Sequence, residues 1–386
     1  MFAETEFLEI FSWLPVKSIY KFSSLCKSLS QLPKEDFFAK KQSKNTQLVG
    51  DKYFLIQPYS CQSYKAGKLQ LHSWLTSSTN DVLPVPYNSL QFIATTGSVL
   101  RSSNGLICVR NLSNHYEKSY FIFNPATKYW LQIPQPDGFD CGDTDFKIVF
   151  ECNNVDNITD DYVLISVIGT SVWGSNPFCK IYSSRENIWK DAGRINIGAG
   201  RNICYETTVY LNGSIYLISD SGGYFREDSP FFWPYIVAYD VNNCVTKLLK
   251  LPKSSREGMD DLDYKLSIFK WKNLNNSICL VKLNNNMFTI WVLTDEETSS
   301  WHQIFKMHVK TMGLNEFDLR VAGFTILNGN ILLIATNSMV YRYDLSTKSS
   351  GRLQEVCHHE CGDNVIFHSF SSTLRPCGAN ATKLAA

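Results

Sequence analysis

Two hydrophobic patterns divide the chain. Over residues 4–45 the apolar positions recur at helical spacing: Phe7, Leu8, Ile10, Phe11 and Leu14, then Ile19, Phe22, Leu25, Cys26 and Leu29. Lys17, Ser18, Lys21, Ser23 and Ser24 fill the opposite face of the second stripe. Pro15 suits the first turn of a helix, where its missing N–H costs nothing. Pro33 breaks the chain, and Asp36-Phe37-Phe38-Ala39 opens a third helix ending in Lys40, Lys41 and Lys44. A segment this short cannot bury all its apolar residues alone, so an exposed apolar face and a partner protein to cover it are expected.

From about Leu48 the period drops to two, in short apolar runs separated by turn residues. An apolar run, a polar turn and a second run recur at 121–130, 181–189, 237–243, 290–301 and 340–348, with a weaker first copy at 71–79. A second signal is an Asn turn leading into a strand: Asn104-Gly105, Asn212-Gly213, Asn275-Asn276 and Asn328-Gly329. Asn-Gly is favoured where both central residues need positive φ. The copies lie about 50 to 60 residues apart, near the spacing of kelch-type propeller blades. The pattern predicts an α+β multidomain chain: a three-helix module over 1–45, an all-β propeller of about six four-stranded blades over 46–376, and a tail over 377–386. The run Val365-Ile-Phe-His-Ser-Phe370 is placed to pair with early strands and close the ring.

Net charge of +1 gives no broad field of one sign, so neither nucleic acid nor an anionic membrane is expected as a partner. The N-terminus lacks a basic start and an uninterrupted apolar core, and no apolar run approaches the ~20 residues of a membrane span. A cytoplasmic or nuclear location is expected. The 12 cysteines are scattered, and Cys108 and Cys279 sit inside apolar runs, which reads as buried thiols in a reducing compartment. Asn-x-Ser/Thr sequons such as those at Asn111, Asn157 and Asn212 would then go unused.

The string Glu9-Ile10-Phe11-Ser12-Trp13-Leu14-Pro15-Val16-Lys17-Ser18-Ile19-Tyr20-Lys21-Phe22, with Leu25-Cys26-Lys27-Ser28 after it, resembles the F-box of plant F-box proteins. The family opens with Leu-Pro where Phe2-Ala3 stands, and has Trp where Leu29 stands. Asn104-Gly105-Leu106, the Asn124-Pro125-Ala126-Thr127 turn and the Trp-ending repeats resemble the family's kelch-like F-box-associated region. The resemblance implies docking on a Skp-type adaptor, and through it a cullin and a RING subunit. Phe7, Leu8, Ile10, Leu14, Pro15, Val16, Ile19 and Phe22 are the implied contacts.

No Walker-type phosphate loop, no Gly-x-Ser-x-Gly elbow and no convincing paired carboxylates occur. Cys357-His358-His359-Glu360-Cys361 has metal-like composition, but no second well-spaced pair follows, so a solvated loop and no metal or cofactor are expected. The expected role is a non-catalytic substrate receptor of an SCF-type (Skp-cullin-F-box) ubiquitin ligase, binding a target protein through propeller loops. Tyr224, Arg226 and Trp233 are hot-spot residue types in segment 222–234, and Asp260 and Asp261 lie in an acidic loop; segment 138–143 is a further candidate. The competing readings are a ligase-independent F-box scaffold and a propeller enzyme with its chemistry in the central channel.

Overall fold

The structure, a computed structural model, describes residues 4–25, 27–59, 68–75, 84–111, 119–136, 146–152, 162–168, 176–198, 201–220, 233–256, 264–271, 277–314, 319–347 and 351–384. The helical module holds α1 (Glu4–Ser12), α2 (Val16–Ser23), α3 (Lys27–Gln31) and α4 (Asp36–Val49). The second apolar stripe, expected as one helix, is split into α2 and α3. Near the break, Ser23 and Ser24 donate to the carbonyls of Tyr20 and Lys21, both at 2.8 Å, a back-bonding that competes with helix propagation. Helix α4 runs past Asn45 to Gly50, whose φ of +90° closes the cap. Val16, Ile19, Leu32, Phe38 and Ala39 form the module's core, joined by Leu374 from the far end of the chain.

Six sheets follow, arranged as the blades of a propeller. Blade 1 contains β1 (Tyr53–Pro58) and β2 (Gln70–Ser73), with β23 (Val365–Phe370) on the inner side of β1. Blade 2 is β3 (Gly97–Ser103), β4 (Leu106–Asn111), β5 (Tyr120–Asn124) and β6 (Tyr129–Ile133), with β24 (Thr382–Lys383) added at its outer edge. Blade 3 is β7 (Phe146–Glu151), β8 (Val163–Ile168), β9 (Phe178–Ser183) and β10 (Ile188–Arg194). Blade 4 is β11 (Asn202–Leu211), β12 (Ser214–Asp220), β13 (Tyr235–Asp240) and β14 (Val245–Lys250). Blade 5 is β15 (Lys265–Trp271), β16 (Ser277–Asn284), β17 (Met287–Asp295) and β18 (Ser300–His308). Blade 6 is β19 (Gly323–Leu327), β20 (Ile331–Ala335), β21 (Met339–Asp344) and β22 (Gln354–His358).

The inner strands stand side by side around the axis: β23, β3, β7, β11, β15, β19 and back to β23. The ring therefore closes where the sequence placed the closure. Strand β23 pairs antiparallel with β1, from Tyr53 opposite Phe370 to Pro58 opposite Val365. A hydrophobic cluster fills each gap between neighbouring blades. Middle strands contribute to two clusters at once, because alternate side chains point to opposite faces. On β1, Phe54 and Ile56 face blade 6 while Leu55 faces blade 2. On β16, Cys279 and Val281 face blade 6 while Ile278 and Leu280 face blade 4. Burial on both faces explains why these strands read as unbroken apolar runs.

The repeated turns explain the repeated sequence. In the connections closing β5, β9, β13, β17 and β21, the last strand residue is Asn124, Ser183, Asp240, Asp295 or Asp344. Its side-chain oxygen accepts from backbone N–H groups two or three residues on. Four of these turns end on a positive-φ residue: Lys128, Asn187, Cys244 and Ser299. The Asn-Gly pairs at 104–105, 212–213 and 328–329 all have positive φ at both residues, as expected of tight hairpins; Asn275-Asn276 lies outside the described residues. The Trp of two repeats ties one blade to the one before. Trp189 Nε1 donates to the Pro134 carbonyl at 2.6 Å, and Trp301 Nε1 to the Lys250 carbonyl at 2.9 Å.

One helix inside the propeller region is absent from the sequence reading. Helix α5 (Tyr87–Thr96) follows Pro86 and packs Leu90, Ile93 and Ala94 between blades 1 and 2. Proline before the first turn and apolar residues three and four apart are the signal that marks it.

Candidate functional site

Two surfaces at opposite ends of the molecule combine exposure with recognition chemistry. The first is the outer face of the helical module. Of the sequence-expected contacts, Phe7 (37% exposed), Ile10 (53%), Pro15 and Phe22 (39%) lie at the surface, and Leu8 and Leu14 are half-buried. Val16 and Ile19 are fully inside the module's core. Phe11 stacks on Phe7 with ring centroids 4.2 Å apart and meets Phe22 edge-on at 5.5 Å, so these rings form one ridge. Trp13, Leu25 and Phe37 are exposed as well and were not among the expected contacts, whereas Tyr20 faces a crevice shared with Val85, Tyr87 and Ala126 of the propeller. Two ties fix α1 against α4. Glu9 pairs with Lys41, and the bond to that ammonium holds the Glu9 carboxyl below its ordinary range. Asn45 Nδ2 donates to Ser12 Oγ at 2.7 Å. Phe2, Ala3 and Cys26 lie outside the described residues, and Leu29 packs partly buried on the core.

The module sits on the propeller at the C-terminal ends of the inner strands. Asn104, just after β3, meets Ser43, and Asn328, after β19, meets Asp51. Asn328 Oδ1 accepts from Asp51 N and its Nδ2 donates to Asp51 O, both at 2.9 Å. Among the described residues, Phe7, Ile10 and Phe22 of the module stay exposed.

The second surface is the other end of the central channel, at the N-terminal ends of the inner strands. A cavity of about 470 Å³ opens there, lined among others by Tyr59, Pro234, Tyr264, Phe269 and Phe324. The strand ends flanking the three segments expected to bind a target all lie on this side. Asp220 pairs with Asn202 at the start of β11, Lys265 begins β15, and Phe146 begins β7. Tyr224, Arg226, Asp260, Asp261 and segment 138–143 lie outside the described residues. Trp233 is described. Its carbonyl accepts from Arg201 Nη2 at 3.1 Å, and the Arg256 guanidinium lies 5.5 Å from its ring centroid. Arg201 is buried, bonds the Ser219 carbonyl at 2.8 Å and lies over the Tyr235 ring at 4.2 Å. It anchors the returning end of the segment at 233–235, a role that a lone Arg between Gly200 and Asn202 does not announce in sequence.

Between the two ends the channel is polar. Glu151 pairs with Lys270 at 2.6 Å and accepts from Ser103 Oγ at 3.1 Å. His368 is buried on β23 beside Gln57, and burial, with Arg101 nearby, pushes its imidazole down to about 3. The Cys357–Cys361 cluster is engaged in the fold. His359 lies 2.8 Å from the Thr336 carbonyl and Cys361 Sγ donates to the Lys68 carbonyl at 3.3 Å. Burial pushes both thiols up to about 12. Among the described residues no three His, Cys, Asp or Glu side chains gather as a cation site, and no helix is long and apolar enough to cross a membrane.

The chain is similar to F-box protein At5g49610 of Arabidopsis thaliana, 22% identical over 98% of both chains. It is also similar to F-box/kelch-repeat protein At3g23880 of the same plant, 23% identical over 88% of this chain and 86% of that one. F-box protein At5g07610, again from Arabidopsis thaliana, is 23% identical over 76% of this chain and 67% of its own length. Residues 95–374, from the end of α5 through blades 2 to 6 to the closing strand and just beyond, match the family described as the F-box associated beta propeller domain. With that match spanning most of its length and plant F-box proteins as its relatives, the chain belongs to the F-box associated beta propeller family.

Proposed function

We propose that the chain is the substrate-recognition subunit of an SCF-type ubiquitin ligase. The helical module docks on a Skp-type adaptor, and the far end of the propeller holds a target protein. The observation that carries this reading is the division of labour among the module's apolar residues. Val16, Ile19, Leu32 and Phe38 close a core, while Phe7, Ile10, Trp13, Phe22 and Leu25 remain exposed. Phe7, Phe11 and Phe22 meet ring to ring, and exposed apolar surface of this kind on a small helical unit supports an interaction role. Family membership supports the same reading. The chain then contributes proximity and orientation, and other subunits supply the chemistry.

The target-facing end fits a binding role. Propeller connections present variable side chains on a rigid frame, and Trp233, Arg256 and the aromatic cavity supply hot-spot chemistry there. The test is complex formation with a Skp-type adaptor, comparing the wild-type chain with Ile10→Asp plus Phe22→Asp. Both positions are exposed, so the variant keeps its fold while placing two carboxylates in the proposed interface. Retained binding by the variant would refute this face as the docking site.

A further inference from the structure

The segment that follows the closing strand has no part in closing the ring. After Phe370 the chain turns under blade 2 and runs between the blade and α4. Ser371 Oγ donates to Asp51 Oδ1 at 2.6 Å, and Thr373 Oγ1 to the Asn104 carbonyl at 2.8 Å. The Asn124 amide donates to the carbonyls of Thr373 and Arg375, at 3.0 and 2.7 Å. Beyond them, Tyr162 of blade 3 donates to the Cys377 carbonyl at 3.1 Å, and β24 pairs with β6. The segment is thereby fastened to the propeller along its whole length.

Its other side holds the helices. Leu374 is 3% exposed and completes the core formed by Val16, Ile19, Leu32 and Phe38. Its N–H donates to Gln42 Oε1 at 3.0 Å, and Gln42 is wholly buried on α4. The Asn104 amide oxygen accepts from Ser43 Oγ at 2.8 Å and from Arg375 Nη1 at 3.0 Å, while its nitrogen donates to the Ser43 carbonyl at 3.2 Å. Gly105 makes room for the crossing, since a Cβ there would stand 2.0 Å from Thr373 Oγ1.

We propose that residues 371–384 form a strap that sets the orientation of the helical module on the propeller, with Leu374 and Gln42 as its positioning residues. Besides the short connection Gly50, Asp51 and Lys52, the module meets the blades through Asn104, Asn328 and Ala126. The strap adds a side chain from the propeller's end of the chain, inserted into the helices' own core, and so removes the freedom to swing that these contacts leave. The inference extends the receptor reading: a rigid receptor holds what is bound at the channel mouth at a fixed angle to what is bound at the helices.

The experiment measures the distance distribution between spin labels at Lys17 on α2 and Lys190 on β10, both exposed. The labels are attached through non-cysteine chemistry because the chain carries 12 cysteines. The wild-type chain and Leu374→Met are expected to give one narrow distance. Leu374→Ala combined with Gln42→Ala is expected to lose it for a broad distribution, with helical circular dichroism unchanged. A chain ending at Phe370 keeps β23, and so the closed ring, and is expected to broaden further; should it fail to fold, the point variants decide. A narrow distribution in the double variant overturns the proposal. Titration with a Skp-type adaptor separates this result from the receptor reading. Unchanged affinity in the double variant is expected, whereas a wild-type chain that does not bind overturns the receptor reading and leaves the distance result standing.

Discussion

Replacing Ile19 and Ile10 separately by alanine distinguishes a core position from a docking position on neighbouring helices. Ile19 is 1% exposed and packs in the cluster with Val16, Leu32, Phe38 and Leu374. Ile19→Ala removes three buried carbons, and at ~0.8 kcal/mol for each, together with the cavity they leave, the cost comes to about 3 kcal/mol. Ile10 is 53% exposed, and an exposed truncation costs no more than about 0.5 kcal/mol. Hydrogen exchange followed by mass spectrometry reads both, peptide by peptide. A loss of about 3 kcal/mol in the opening free energy speeds exchange in α1 to α4 by roughly a hundredfold. Ile10→Ala is expected to leave those peptides within a few-fold of wild type, and the blade peptides are expected to be unchanged in both variants. Equal acceleration by the two substitutions would refute the assignment of Ile10 to the surface, and with it the proposed docking ridge.

Two further outcomes follow from the propeller. Acid weakens ring closure through His368, whose folded pKa lies near 3 against an ordinary value of 6.5. The unfolded chain takes up a proton near pH 6.5 and the folded chain does not, so stability is full above that pH. It falls by up to about 1.4 kcal/mol per pH unit as pH drops toward 3, and His72, lowered to about 4 by burial, adds to the fall down to about pH 4. Denaturant midpoints between pH 7 and 4.5 check this, and His368→Gln should flatten the curve. Alanine at Gly105 and at Gly213 separates backbone strain from steric conflict, since φ is +86° and +82° respectively. The new Cβ meets Thr373 Oγ1 at 2.0 Å in the first case and only the tip of Asn242 at 3.0 Å in the second. Gly213→Ala should cost about 1 kcal/mol and Gly105→Ala at least twice that, as read from thermal unfolding; equal costs would contradict the crossing of the strap at Gly105.

Much of this architecture can be read in the sequence because blade geometry imposes local chemistry. A turn that needs positive φ at two residues selects Asn-Gly, and a strand buried on both faces selects an unbroken apolar run, so Asn104-Gly105 and Ile278–Val281 mark their own places. The closing strand was legible for the same reason: Val365–Phe370 is an apolar run with no neighbour in sequence to pair with. The strap was not legible. Leu374 and Gln42 look like any apolar and any polar residue, and what makes them matter is a contact across more than three hundred positions. The helical stripe at Val16 and Ile19 had a related ambiguity. Periodicity identifies apolar faces but not which of them the molecule covers itself, and the structure covers these two with Phe38 and Leu374 while leaving Phe7, Ile10 and Phe22 open.

The most direct measurement is the affinity of the full chain for a purified Skp-type adaptor, for the wild type and for Ile10→Asp plus Phe22→Asp. The account predicts a stable wild-type complex and at least a hundredfold weaker binding by the variant, since each carboxylate left unpaired in an apolar interface costs several kcal/mol. Its circular dichroism should match that of the wild type. A wild-type chain that fails to bind, or a folded variant that binds equally well, would contradict the claim that the exposed ridge of α1 and α2 joins this propeller to a ligase.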